Sequence, residues 1–315
     1  MQRSLTQADA RKGLNNVWTL QFSEYGGPEV IKFGEAPEPH AGPGQIRIKV
    51  KAASVNPADW KYLTGMYAQG KPLEGTGYLG YDAAGVVDEV GDGVTGVAVG
   101  DDVFGRGNAT QAEYAVLDAW AHKPPSVDWA AAAIGVVAEA AERVLRLLGV
   151  TSGSTLFIDG GAGGVGSTAT QIAKARGATV IASASEARQD YLREIGAIPV
   201  VYGEGMIDRV KALDVGKIDA VFDAVGKTPI EDLISLAPEP SQVVSIANFA
   251  AAASGARVTG GSTDSQPMKA LAEAAELLEQ GKLVIKFQTF PFDRAVEAYQ
   301  ISYSGHARSK LVLVP

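Results

Sequence analysis

The chain has 315 residues and no cysteine, with 28 Lys and Arg against 36 Asp and Glu for a formal charge of −8. Disulfides, thiolate nucleophiles, iron–sulfur clusters and cysteine-rich zinc sites are excluded, and the acidic balance without a basic run disfavours phosphate-backbone binding. With 46% hydrophobic and 20% charged residues the composition is that of a globular protein long enough for about two domains. No apolar run approaches the ~20 residues of a membrane span. Met1 to Asn16 is polar and lacks an apolar signal core, so a soluble, cytoplasmic protein is expected.

In chain order, the first third reads as β. Val17–Phe22, Gln45–Ala53, Ala84–Val90 and Glu113–Leu117 are short runs rich in β-branched or aromatic residues, broken by turn clusters at Tyr25–Pro28 and Pro37–Gly44. Alternation in Gln45–Lys51 predicts a half-exposed antiparallel sheet or barrel. From about Asp128 the pattern changes to a helix over Asp128–Leu148, followed by a buried strand at Ser154–Asp159. Helices (Gly164–Arg176, Ala187–Ile195, Met206–Leu213, Pro229–Leu236) then alternate with strands (Thr179–Ser183, Pro199–Val201, Asp219–Asp223, Gln242–Ile246). Such alternation implies crossovers and a parallel sheet covered on both faces. A helix over Pro267–Gln280 stops at Gly281, and strand-like text returns at Leu283–Phe287 and Lys310–Val314. The expected fold is α/β: residues 1–124 with 281–315 form a β-rich domain, and 125–280 a doubly wound Rossmann domain.

Glycine is abundant, at 37 residues, and one cluster has a mechanism. Gly161, Gly163, Gly164, Val165 and Gly166 fit a G-x-G-x-x-G turn between a strand and a helix. There Gly161 permits the tight turn, Gly163 lets backbone N–H groups approach a pyrophosphate, and Gly166 allows close packing. The helix N-terminus adds partial positive charge. The next strand ends in Ala182–Ser185, with Ala184 where an NAD site places a carboxylate for the ribose 2′-OH. Ser183, Ser185 and Arg188 suit a 2′-phosphate instead, so NADP(H) is the expected cofactor. Glu186 is the competing feature, because turned inward it would restore NAD binding; Arg188 also fits a solvated helix face.

Several blocks in this order, Ser54–Lys61, Gly80–Val87, Gly100–Gly105, Ala112–Tyr114, the glycine turn and Gly305–Lys310, carry a family likeness. The sequence resembles the medium-chain dehydrogenase/reductase superfamily, in its zinc-free quinone-oxidoreductase (zeta-crystallin-like) branch. The resemblance implies a GroES-like substrate domain and an active site in the cleft beside the cofactor domain. It also implies that the zinc-ligand positions of related alcohol dehydrogenases fall at Asn56, Tyr81 and about Ile134, so no metal is expected. Without a metal to polarise an alcohol, hydride transfer from the cofactor to an activated acceptor remains: a quinone, or the β-carbon of an α,β-unsaturated carbonyl.

By the same resemblance Asn56, Lys61 and Tyr67 are the expected catalytic residues. Lys61 would hold the nicotinamide and stabilise a developing enolate, with Asn56 and Tyr67 as orienting donors. Lys61 equally fits an exposed position on a short helical turn. Tyr202 at the adenosine end and Lys310 at the phosphates are expected cofactor contacts, although surface packing accounts for either as well. Phe249 is expected in the substrate pocket or else in the core, and Trp60 and Met66 flank the site as pocket wall or core. His40, His122 and His306 have no metal-binding spacing. A homodimer through a cofactor-domain edge strand at Arg257–Gly260 is also expected from the family.

Two other functions compete. A short-chain dehydrogenase needs Tyr-x-x-x-Lys on a helix after the glycine turn; the only such spacing, Tyr67 to Lys71, lies before it and is interrupted by Gly70 and followed by Pro72. A cofactor-binding sensor or crystallin-like protein with little turnover is the alternative from another class.

Overall fold

The computed structural model describes residues 16–260, 264–305 and 307–315. Among the described residues seven strands precede residue 135: β1 (Asn16–Phe22), β2 (Lys32–Pro37), β3 (Ile46–Val55), β4 (Gly77–Tyr78), β5 (Asp82–Val90), β6 (Asp102–Asn108) and β7 (Tyr114–His122). Six follow in the middle of the chain: β8 (Thr155–Asp159), β9 (Thr179–Ala184), β10 (Ile198–Val201), β11 (Ala220–Asp223), β12 (Val243–Ser245) and β13 (Arg257–Val258). Near the end come β14 (Phe287–Pro291) and β15 (Lys310–Val314). The described residues up to Gly135, together with Phe287–Pro315, form one compact unit, and Val136–Lys286 form the other. The sequence-based limits lay at 124/125 and 280/281.

The first unit is β-rich. Its main sheet runs β14-β15-β3-β5-β6-β7, and β7 also pairs with the start of β3 (Ile46↔Leu117), so β3, β5, β6 and β7 close on themselves. A smaller sheet, β2-β1-β4, stands beside them. Leu20, Phe22, Ile46, Ile48, Leu117 and Tyr299 fill the core, each nearly inaccessible to solvent. Alternation in β3 places Arg47 on the solvent side, yet only 8% of it is exposed. Closure covers that face: Arg47 donates to both oxygens of Asp88 (3.0 and 2.8 Å) and lies 5.1 Å from the Tyr114 ring centroid.

The second unit is a parallel sheet in the order β10-β9-β8-β11-β12-β13. Numbered from β8 that order is 3-2-1-4-5-6, the Rossmann arrangement, whose ligand crevice lies beyond the carboxyl ends of the strands where the order reverses. β8 is buried throughout, as a central parallel strand must be. β10 tolerates Pro199 because it is an edge strand.

Three expectations need correction. The helix over Asp128–Leu148 is two helices, Trp129–Ala132 and Gly135–Leu147. The break brings Gly135 so near the Gly105 carbonyl that a Cβ would lie 2.5 Å from its oxygen. The strand expected at Leu283–Phe287 is instead Phe287–Pro291, set by parallel pairing with β15 (Phe287↔Lys310). Leu283 is buried beside the preceding helix, and the Val284 N–H donates to Gln171 Oε1 at 2.8 Å. Finally, β2, β6 and the helices Pro57–Leu63 and Ala295–Ser304 were not anticipated. Among the described residues no helix is long and apolar enough to cross a membrane.

Candidate active site

In the second unit a candidate cofactor site lies at the carboxyl end of β8. The left-handed residue of the glycine turn is Gly160 (φ 85°), not Gly161. Gly161 is required by packing, since a Cβ there would meet the Ala182 methyl at 2.5 Å. At Gly166 a Cβ would sit 2.2 Å from the Gly160 carbonyl oxygen, which enforces the close strand–helix approach expected of it. Gly163 is different: only that same oxygen comes within 4 Å, at 3.4 Å. Gly163 and Gly164 are exposed, and no side chain caps the helix Gly164–Ala175. The first-turn N–H groups of Gly164, Val165 and Gly166 have no carbonyl four residues back within the helix, so this end is open to an anion.

Ser183 departs from its expected role. Only 1% of it is exposed; its hydroxyl accepts from the Gly160 N–H (2.9 Å) and donates to Asp159 Oδ1. Ser183 therefore ties β9 to the glycine turn, and its hydroxyl is committed to that bond rather than to a phosphate. Burial raises the Asp159 carboxyl, while the hydroxyls of Ser183 and Thr228 act against the rise. Beyond β9, Ala184 is buried and supplies no carboxylate, and Glu186 is exposed. The Tyr202 N–H donates to the Ala184 carbonyl (3.1 Å), which brings the exposed Tyr202 beside half-buried Ser185. The Arg188 guanidinium lies 4.4 Å from the Tyr191 ring centroid. Phe249 opens the 3-10 turn after β12 and is 56% exposed, so it is not core.

In the first unit a separate candidate cluster grows from the helix Pro57–Leu63. Its start is dictated locally: Asn56 at the N-cap, Pro57 at the first helical position, and Asp59 two residues on, whose Oδ2 accepts the Asn56 N–H at 2.6 Å. The Asn56 side chain is fully engaged. Its Nδ2 donates to Asp82 Oδ1 (2.9 Å) and Ser54 Oγ (3.1 Å), and its Oδ1 accepts from Lys310 Nζ at 2.6 Å. Both amide protons are committed and 1% of the residue is exposed. Asn56 is therefore a hub that positions Lys310, not the free orienting donor expected from the sequence. Lys310 also reaches the Val55 carbonyl (3.4 Å), and its ammonium serves as an internal counter-charge to Asp82 and Asp59. Burial lowers its pKa and the two carboxylates oppose that.

Lys61, on the last turn of the same helix, is half-buried, and burial lowers its pKa. Its ammonium has no hydrogen bond or ion pair among the described residues, and Nζ lies 5.9 Å from the Trp60 ring centroid. Tyr67 follows with half its surface exposed, and burial of the rest, with the charge of Asp59, raises its phenol. Trp60 packs edge-on against Tyr303, and Met66 is exposed. Sequence reasoning missed Ser54, Asp59 and Asp82; the Asn-Pro-x-Asp capping pattern was the signal available for Asp59.

Asn56 with its amide engaged, Tyr81 with a phenol pushed up by burial, and fully buried Ile134 do not make a zinc site. Among the described residues no group of three His, Asp or Glu could hold a metal ion. Exposed His40 contacts Glu89 (3.1 Å), His122 bonds the Gly96 carbonyl, and His306 lies outside the described residues.

The sequence pattern of the alcohol dehydrogenase GroES-like domain matches residues 42–146, and that of the zinc-binding dehydrogenase family matches 195–313. The chain is 31% identical to a 2-methylene-furan-3-one reductase of Solanum lycopersicum, over 93% of this chain and 78% of that one. Identity to an NADPH-dependent alkenal/one oxidoreductase of Arabidopsis thaliana is also 31%, with the same coverage. A quinone oxidoreductase from Pseudomonas aeruginosa is 31% identical, over 94% of this chain and 99% of the relative. The solved quinone oxidoreductase from Coxiella burnetii superposes with a TM-score of 0.80 at 29% identity, covering 96% of this chain and all of that one.

Proposed function

Because the chain belongs to the medium-chain dehydrogenase/reductase superfamily, in its quinone-oxidoreductase-like branch, we propose that it is a zinc-independent, NADP(H)-dependent reductase of quinones or α,β-unsaturated carbonyls. The observation that carries this reading is Lys61: a half-buried amine with no anionic partner among the described residues, which also hold no group of His, Asp and Glu able to bind zinc. An unneutralised cation of this kind stabilises negative charge as it develops on a carbonyl oxygen. The names of the similar reductases support the acceptor class, and they do not favour a sensor without turnover.

The open N-terminus over Gly163–Gly166 would hold the cofactor's pyrophosphate, and Ser185, Arg188 and Tyr202 its adenosine end. Ala184 in place of a carboxylate, with Arg188 close by, supports NADP(H) over NAD(H). When bound, the cofactor supplies the hydride. Lys61 then stabilises the enolate or phenolate oxygen, and Tyr67 orients the acceptor through its hydroxyl. Phe249 is assigned to the acceptor pocket. β13 is an edge strand, which supports sheet-to-sheet dimerisation; a monomer in sedimentation would remove that part.

The deciding experiment is NADPH oxidation with 1,4-benzoquinone, acrolein and a bulky enone side by side. Turnover with any of them is expected. NADPH binding without turnover across the panel would overturn the reading in favour of a sensor, and tighter binding of NADH would overturn the cofactor assignment.

A further inference from the structure

Asp223 and Ser245, the last residues of β11 and β12, are fully buried and joined side chain to side chain. Asp223 Oδ1 accepts from the Val225 and Gly226 N–H groups (3.0 and 2.7 Å), which curls the chain leaving β11 into a tight turn. Its Oδ2 accepts the Ser245 hydroxyl at 2.7 Å. That hydroxyl accepts in turn from the Ala247 and Asn248 N–H groups (3.2 and 2.9 Å), so the chain leaving β12 is held as well. A serine hydroxyl has one proton and two lone pairs. Here backbone N–H groups occupy both lone pairs, and the proton goes to Asp223, which fixes the direction of every bond in the lock.

The two locked turns abut. Gly226 is left-handed (φ 72°), and a Cβ there would lie 3.0 Å from both the carbonyl carbon and the Cβ of Ala247. Farther along the same loop, Thr228 donates to Asp159 Oδ2 at 2.7 Å and anchors the first turn to β8. The lock thereby holds exposed side chains in place. Val225, 40% exposed, lies against the start of the glycine turn, since a Cβ on Gly160 would meet its Cγ2 at 2.2 Å. Exposed Phe249 directly follows Asn248, and its ring edge is 3.6 Å from where a Cβ on Gly260 would stand. The sheet order reverses between β8 and β11. A dinucleotide with its adenosine at the β9 side and its pyrophosphate on the glycine turn therefore extends its other half over β11 and β12.

We propose that Asp223 and Ser245 are positioning residues for hydride transfer. Their lock sets Val225, beside the nicotinamide, at a fixed spacing from Phe249, beside the acceptor. The inference rests on the reductase reading above. Neither residue reaches the reacting atoms, because both are buried beneath the turns they hold. Their effect is on distance: a misplacement of about 1 Å between hydride donor and acceptor can cost roughly 100-fold in rate.

The test uses the full chain and compares wild type with Asp223→Asn and Ser245→Ala. The probes are NADPH, adenosine 2′,5′-bisphosphate as the adenosine half alone, and 2-methylcyclohex-2-enone as acceptor. Asp223→Asn keeps the size and an oxygen for Val225 and Gly226, but turns an NH2 toward a hydroxyl whose lone pairs are occupied. Ser245→Ala removes the hydroxyl. Each variant should bind the bisphosphate within about twofold of wild type, bind NADPH about fivefold more weakly, and lower kcat at saturating NADPH about tenfold or more. A purely structural fault would weaken both ligands alike. Wild-type NADPH binding and kcat in both variants, or equal losses for the two ligands, overturn the proposal. Should neither variant fold, exposed Val225→Ala leaves the lock intact and decides: it should weaken NADPH and spare the bisphosphate, and unchanged NADPH binding overturns the proposal. A wild type that turns over while the variants show no split between ligands places the failure in the lock. A wild type inert toward every acceptor, whose variants still show the split, places it in the reductase reading.

Discussion

Gly163 and Gly166 stand three residues apart in the same turn, yet alanine should act on them through different physics. In Gly166→Ala the new methyl falls 2.2 Å from the Gly160 carbonyl oxygen and 2.9 Å from the Gly161 Cα. Both are backbone atoms, so relief requires moving β8 against the helix. Overpacking of this kind costs up to about 3 kcal/mol. For a cooperative unit the size of Val136–Lys286, that corresponds to a fall of roughly 6–12 °C in Tm. In Gly163→Ala the methyl meets only the Gly160 oxygen, at 3.4 Å, and the backbone φ of −76° suits alanine. Its Tm should stay within about 2 °C of wild type, consistent with a surface change of a few tenths of a kcal/mol. The same methyl stands where the pyrophosphate would approach the first-turn amides. Losing one charge-assisted hydrogen bond, about 1.5 kcal/mol, should raise the Kd for NADPH about tenfold. Calorimetry and a fluorescence titration of NADPH give both quantities on the same samples. Gly163→Ala binding NADPH like wild type, or Gly166→Ala melting with it, would refute the assignment of the two glycines.

Other outcomes follow from the remaining parts of the site. Lys61→Met should lower kcat for enone reduction at least tenfold with little change in Tm, because Lys61 has no ion pair to lose; an unchanged rate removes its role. Tyr191→Leu should raise the Kd for NADPH, but not for NADH, by about three- to fivefold through loss of the ring that holds Arg188. Tyr191→Phe should leave both constants near wild type, and a matching loss for NADH would show that the ring serves packing alone. Stability should also carry the signature of Asp59. Folded Asp59 keeps its proton to about pH 7, whereas an unfolded carboxyl loses it near 4. Between those values the folded state binds more protons, so this group's contribution to stability falls as pH rises from about 4 to 7 and is level above. Relative to Asp59→Asn, wild type should therefore lose Tm between pH 5 and 8, and parallel Tm curves would contradict the assignment.

The parallel sheet was legible because its strands are short, apolar and separated by helical periodicity, a signal contained within each segment. β2 (Lys32–Pro37) and β6 (Asp102–Asn108) were not, since each carries glycine and polar residues and owes its extended form to pairing with β1 or with β5 and β7. The glycine turn was legible for the same local reason, although which glycine needs a left-handed backbone and which needs space depended on neighbours in β9 and the turn itself. Ser183 and Asn56 show the limit more sharply. Their residue types invite a ligand, but partners 24 residues from Ser183 and 254 from Asn56 occupy their polar atoms. The buried cluster around Asp59 was hidden because its charges come from three distant parts of the chain, and only folding determines that they share one dry space.

The pairing of β15 with β3, through Leu311↔Val55 and its neighbours, also sets an order of assembly. Val136–Lys286 is one uninterrupted stretch, so all its strand partners are present once residue 286 has been synthesised. The first unit must leave β3 without that partner until the last residues emerge, and closing so long a loop is slow. During synthesis the parallel sheet is therefore expected to form first, while the β-rich unit waits with an unpaired strand edge exposed. Cutting the chain after Lys286 should leave a soluble, cooperatively melting central unit and an aggregation-prone remainder, placing the burden of misfolding on the β-rich unit.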